Sequence, residues 1–104
     1  MIIEMRTYDI KVGKLGEFIK IYDNDIRQIH TSILGNQIGF FYTEIGSLNQ
    51  VIHLYGYDTY EERERRRKKL NKNESFLKNL VKVENLILSQ TNQLLKPTDF
   101  SKIR

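Results

Sequence analysis

Apolar and polar residues alternate with period two at the start of the chain. Ile3, Met5 and Thr7 stand against Ile2, Glu4, Arg6 and Tyr8, which is the pattern of a strand with one face markedly more polar. From Lys14 the period changes. Leu15, Phe18, Ile19, Tyr22, Ile26, Ile29 and Ile33 recur at helical spacing. Gly35 after Leu34 supplies a stop, because glycine enters the left-handed region without steric cost. Two alternating segments follow, at about 37–45 and 50–57, joined by a tight Gly46-Ser47-Leu48-Asn49 connection. Asp58 with Glu61 has capping-box spacing and opens a second helix that runs through a charge run to about Leu70. Asn73 caps a shorter helix carrying Phe76, Leu77 and Leu80. A last strand, Leu86 to Leu94, places Leu86, Leu88 and Leu94 on one face and Ile87, Ser89, Thr91 and Gln93 on the other.

The order strand, helix, strand, strand, helix, strand predicts an α+β chain of ferredoxin-like βαββαβ topology: a four-stranded antiparallel sheet with helices on one face. Such a sheet has an uncovered side. If Ile52, Leu54 and Gly56 face the helices, then Val51, His53, Tyr55 and Tyr57 join Glu4, Arg6 and Tyr8 on the bare face. Exposed rings on that scale call for a cover, and a second copy docked on Tyr8, Tyr55 and Tyr57 is the simplest one. RNA is the competing cover, because RNA-recognition domains of this topology stack bases on sheet aromatics. The run Gln50-Val51-Ile52-His53-Leu54-Tyr55-Gly56-Tyr57 lacks the basic-Gly-aromatic start those domains carry, so nucleic acid is not an expected partner.

The chain has 104 residues, which predicts a single domain over 1–104 whose core is small enough to gain from a partner. The net charge of +4 is mild, and Glu61, Glu62 and Glu64 sit among the arginines. There is no cysteine, which excludes thiol nucleophiles and thiolate metal sites and fits a reducing, cytoplasmic setting. No apolar run is long enough to span a bilayer, so no membrane partner is expected. The first residues enter a strand pattern at once, which predicts no secretory leader and a mature chain starting at Met1.

His53 is one of two histidines, and a neutral imidazole suits acid/base work or a hydrogen bond across a sheet or interface. His30 lies at the edge of the first helix's apolar stripe and reads as a packing residue. Neither has a carboxylate at ligand spacing, so no metal is expected. In the run Arg63-Glu64-Arg65-Arg66-Arg67-Lys68-Lys69, the pairs Glu61 with Arg65, Glu62 with Arg66 and Glu64 with Lys68 describe a solvated helix face. Tyr60, Arg63, Arg67 and Leu70, however, share the inward stripe. Inward arginines pair with an acid, for which Glu44 is the candidate, or offer a guanidinium to a carboxylate or phosphate on a ligand.

The stretch from Asn36-Gln37-Ile38-Gly39-Phe40-Phe41-Tyr42 through Gln50-Val51-Ile52-His53-Leu54-Tyr55-Gly56-Tyr57-Asp58 resembles the NIPSNAP family. Met1-Ile2-Ile3-Glu4-Met5-Arg6-Thr7-Tyr8 is similar to the family's opening, and Leu95-Lys96-Pro97-Thr98-Asp99-Phe100-Ser101 to its closing segment, so the resemblance covers nearly the whole chain. It implies two sheets paired face to face in a dimeric α/β barrel, a homodimer, and a cleft, with no agreed reaction for bacterial-type members. Two functional readings follow. In one, the homodimer holds a small, largely apolar organic ligand between sheet and helices, as a binder or with chemistry like the cofactor-independent oxygenases and isomerases of this fold class. In the other, the domain is a protein-interaction module without catalysis. The residues expected at a ligand are Arg6, Tyr8, Glu44, His53, Tyr55, Arg63 and Arg67, with His53 the catalytic candidate and no cofactor.

Overall fold

The computed structural model describes residues 1–104. Strand β1 (Ile2–Ile10) leads to helix α1 (Leu15–Ile21), a π-helical turn (Tyr22–Ile26) and helix α2 (Arg27–Leu34). Strands β2 (Asn36–Tyr42) and β3 (Gln50–Tyr57) form a hairpin; helices α3 (Tyr60–Asn71) and α4 (Glu74–Glu84) then return the chain to strand β4 (Ile87–Leu95). The sheet has the order β2-β3-β1-β4 with every neighbour antiparallel, the ferredoxin-like arrangement. All the expected elements are present. The differences lie at their ends and in the first helix, whose continuous apolar stripe hides the π-helical turn.

Local chemistry explains the ends. Gly35 closes α2 at φ +90°, and a Cβ there would stand 2.7 Å from a guanidinium nitrogen of Arg66. That nitrogen, Nη1, donates to the Ile33 carbonyl at 3.1 Å and so satisfies one of the orphan acceptors at the helix end. The cap of α3 is Thr59 rather than Asp58: its Oγ1 accepts from the Glu62 N–H at 3.1 Å, one residue beyond the expected box. Asn73 caps α4 as expected, through Oδ1 and the Phe76 N–H at 2.8 Å. On α3 the Glu62–Arg66 pair forms at 2.6 Å, while Arg65 bonds Glu62 and Arg63 takes Glu64 at 2.5 Å.

The faces of the sheet are the reverse of the expected ones. Partnered residues on neighbouring strands share a face, and the register Glu4↔Tyr55, Arg6↔His53 and Tyr8↔Val51 gathers the polar and aromatic set on one side. That side lies under the helices. Val51, His53, Tyr55, Tyr57 and Glu4 are all buried, and Tyr8 packs edge-on against Phe18 of α1. Met5, Phe41, Ile52 and Leu54 occupy the open face instead, partly or largely exposed and outside the core cluster. Apolarity alone does not choose the inner face; polar groups go inside where helices bring partners to them, and here Tyr22, His30 and Arg63 do so. A second copy docked on Tyr8, Tyr55 and Tyr57 is therefore ruled out, because the chain's own helices already cover them.

The open face has its own local fit. Phe41 lies across Gly39, where any side chain would collide with the ring. The register shifts between Gln37 and Gly39, which leaves Ile38 as a bulge in β2. At the other edge of the sheet, β4 carries no charged residue, and eight of its nine positions are exposed.

Candidate functional site

Between the inner sheet face and the helices lies a cavity of about 290 Å³ lined by nine hydrophobic and seven polar residues. Strands β1 and β3 contribute Arg6, Tyr8 and His53; β2 adds Phe40; α3 adds Arg67 and Asn71; α4 adds Phe76, Leu80 and Val83. The first helical segment contributes Phe18, Tyr22, Ile26 and His30. In an unbroken α-helix residues advance about 100° each, so Tyr22 and His30 would stand roughly 80° out of phase. The π-helical turn removes the mismatch. There the Arg27 N–H bonds the Tyr22 carbonyl five residues back, which underwinds the helix and keeps Tyr22, Ile26 and His30 on the cavity side.

One end of the inner face is organised by a charge cluster. Glu4 is fully buried, and Arg63 grips it with Nε to Oε1 at 3.2 Å and Nη2 to Oε2 at 2.8 Å, while Arg6 Nη1 reaches Oε2 at 3.1 Å. Burial pushes the Glu4 carboxyl up, but the Arg63 hydrogen bonds and the charges of Arg6 and Arg63 outweigh it and hold the group down at about 2. Arg63 is thus held by a buried acid, and that acid is Glu4. Glu44, the acid expected for it, lies exposed in the β2–β3 connection and does not line the cavity. Arg6 also donates Nε to the Tyr8 hydroxyl at 3.1 Å. Burial lowers its pKa, but Tyr8 and Glu4 reverse the direction.

Arg67 differs from both. It lines the cavity and makes no hydrogen bond or ion pair with any side chain of this chain. Burial and the neighbouring Arg6 charge pull its pKa below the ordinary value, as expected for a half-buried cation without a counter-ion.

The other end is a hydrogen-bonded chain of uncharged groups. Gln37 Nε2 donates to the Tyr55 hydroxyl at 3.0 Å, the Tyr55 and Tyr22 hydroxyls are 3.1 Å apart, and they lie 2.9 and 2.7 Å from His30 Nδ1. We assign the order Gln37 to Tyr55 to Tyr22 to His30, which uses each proton once, ends on the shortest contact and leaves the His30 proton on Nε2. Burial pushes both phenols up, so both stay protonated at neutral pH. His30 therefore has a polar role that its place in an apolar stripe does not disclose.

His53 has no such partner. It is 1% exposed, it stacks on Phe40 at 5.0 Å with Tyr8 edge-on at 5.1 Å, and neither ring nitrogen is hydrogen-bonded. Burial, followed by the charges of Arg67 and Arg6 for His30 and by His30 and Arg6 for His53, lowers each histidine from 6.5 to about 3. Both are neutral at physiological pH, and each presents one donor and one acceptor. The structure therefore brings Arg6, Tyr8, His53 and Arg67 together at one cavity. Tyr55 stands behind it in the hydrogen-bonded chain and Arg63 behind it on Glu4, while Glu44 is remote.

Comparison with known proteins adds to this geometry. The NIPSNAP family model matches residues 3–102. A NipSnap homolog of Dictyostelium discoideum is 30% identical over 94 residues, which are 90% of this chain and 41% of that protein, so the chain spans about two fifths of its length. A NIPSNAP family protein from Agrobacterium tumefaciens superposes with a TM-score of 0.97 at 42% identity, over 99% of this chain and 98% of that one. More distant structures share the fold alone. A dimeric ferredoxin-like protein from an uncultured marine organism has a TM-score of 0.75 at 15% identity, covering 97% of this chain and 91% of that one. An antibiotic biosynthesis monooxygenase has 0.64 at 8%, covering 94% and 99%.

Two outcomes are expected from this electrostatic arrangement. An unfolded imidazole binds a proton near 6.5 that the folded one refuses until about 3, so each histidine's contribution is complete above 6.5 and is lost as pH falls toward 3. Urea unfolding between pH 7 and pH 4 should show stability falling by up to about 1.4 kcal/mol per pH unit for each histidine, and His53→Gln should remove one of the two slopes. An unchanged slope in His53→Gln would contradict the depressed value. Arg63→Ala strips the buried Glu4 of its two-pronged partner and should cost roughly 3 kcal/mol. Arg65→Ala, at an exposed pair, should leave the urea midpoint unmoved.

Proposed function

The chain belongs to the NIPSNAP family, and from that premise we propose that it is a homodimeric protein that binds a small organic ligand in the cavity between sheet and helices. The observation that carries the reading is His53, whose two ring nitrogens are buried and unpartnered. Unmet polar atoms in an interior are costly by about 1–3 kcal/mol each, and because His53 lines the cavity, a bound molecule that shifts the Phe40 or Tyr8 ring packed on it is the partner proposed for them. The volume of about 290 Å³ lies at the small end of ligand pockets, and the aromatic lining favours an apolar body. Arg6, Tyr8, His53 and Arg67 are the residues proposed to meet it. Tyr55 and Arg63 act as positioning residues, through His30 and Glu4 respectively.

The homodimer follows from the opposite face. Met5, Phe41, Ile52 and Leu54 form an apolar surface on the open sheet, next to the long uncharged edge strand β4, and both features call for a cover. The fold-level likeness to a dimeric ferredoxin-like protein supports a second copy there. A second reading, in which the ligand is also a substrate, is favoured by one observation: the hydrogen-bonded chain anchored by Gln37 ends on the cavity wall and fixes His30 there as an Nε2 donor.

The test is native mass spectrometry of the purified protein, alongside light scattering at micromolar concentration. The expected result is a dimer mass carrying a dissociable small molecule. Leu54→Asp should give a folded monomer, and His53→Leu a dimer that carries less ligand. A wild-type monomer would remove the dimer. A His53→Leu protein with undiminished ligand would remove the cavity as the site.

A further inference from the structure

Counting charge at the cavity end of the sheet narrows the ligand. Arg6, Arg63 and Arg67 supply three positive charges. Glu4 takes Arg63 and Arg6, and Glu64 takes Arg63 again at 2.5 Å, so two carboxylates face three guanidiniums. One positive charge is left over, and it lies on Arg67, the cavity-lining guanidinium without a partner. The remaining titratable groups do not cancel it. His30 and His53 are uncharged, the Tyr22 and Tyr55 phenols are protonated, and Glu84, which also lines the cavity, is exposed on the last turn of α4 and makes no ion pair with Arg67. The walls are flat: Phe40 stacks on His53 at an interplanar angle of 23°, and His30 on Phe76 at 5°.

We propose that the cavity selects a planar aromatic monoanion, a carboxylate or phenolate whose charged oxygen sits on Arg67 and whose ring lies against the aromatic lining. This rests on the cavity being the binding site. A guanidinium in a partly dry site gains far more from a matched charge than one in water, and its two parallel N–H groups suit an oxygen anion. A single unmatched cation also limits the ligand's charge: a dianion would bring a second negative charge to a lining that already carries the unpaired Glu84.

The experiment uses three probes that share a nitrophenyl ring on the wild-type protein: p-nitrophenol, nitrobenzene and p-nitrophenyl phosphate. Binding is measured by calorimetry, and the ionisation of bound p-nitrophenol by its phenolate absorbance. The phenolate should bind about tenfold or more tighter than nitrobenzene, and the bound phenol should ionise at correspondingly lower pH. p-Nitrophenyl phosphate in its dianionic form should bind no better than nitrobenzene. Arg67→Met should erase the preference for the anion while leaving nitrobenzene binding intact, and Arg67→Lys should keep most of it. The comparison of probes on the wild-type protein decides the matter even if Arg67→Met fails to fold. Equal binding of phenolate and nitrobenzene overturns the charge selection and leaves the cavity reading standing, as does tight binding of the dianion. No binding of any probe would overturn both.

Discussion

The arrangement depends on one buried carboxylate. Glu4 sits in the first strand of the chain, with helices over it, and stays ionised because Arg63 from α3 and Arg6 from its own strand hold both oxygens. A carboxylate without those partners would lose several kcal/mol on burial, so the inner face of β1, the position of α3 and the direction of both guanidiniums are set together. The pairing need not raise net stability over an apolar replacement. What it does is specify which side of the sheet the helices cover and use up the charge of Arg63 and half the reach of Arg6, so that Arg67 is left facing the cavity.

From that constraint the site divides into two electrostatic halves. One end is ionic and largely satisfied within the chain. The other is a run of neutral hydroxyl, amide and imidazole groups held by burial in their uncharged forms. Between them lie the unpartnered imidazole of His53 and the unpartnered guanidinium of Arg67, both on a cavity with aromatic walls. Both lack a hydrogen-bond partner within the chain, as does the buried Tyr57 hydroxyl away from the cavity. The distant likeness to a monooxygenase, at 8% identity, is one of fold alone.

Much of this was readable from the chain. Alternation in β1 and β3, the helical stripes and the glycine after Leu34 give the order of elements and hence the ferredoxin-like topology. The spacing to Leu70 places one or both of Arg63 and Arg67 inward, and both turn inward. The faces were not readable, because period two states which residues share a side and not which side is covered. Choosing by apolarity puts Ile52 and Leu54 inside, whereas the helices carry the polar partners that admit Tyr55 and Glu4. Glu44 was named over Glu4 for the same reason: with β1 assigned to the wrong face, Glu4 was out of reach of α3. The joint placement of Tyr22 and His30 depends on a π-helical turn for which the apolar stripe gives no sign, since Ile26 and Ile29 fit either winding.

The central claim is that Glu4 is an ionised, helix-covered carboxylate clamped by two arginines, and its own titration tests that most directly. Carboxyl-carbon NMR of the selectively labelled protein should show Glu4 still ionised through the range where ordinary glutamates gain their proton near 4.5, with a midpoint at about 2. A midpoint at the ordinary value would mean that Glu4 faces solvent, and with it the assignment of the inner face, the Arg63 clamp and the free charge on Arg67 would fall.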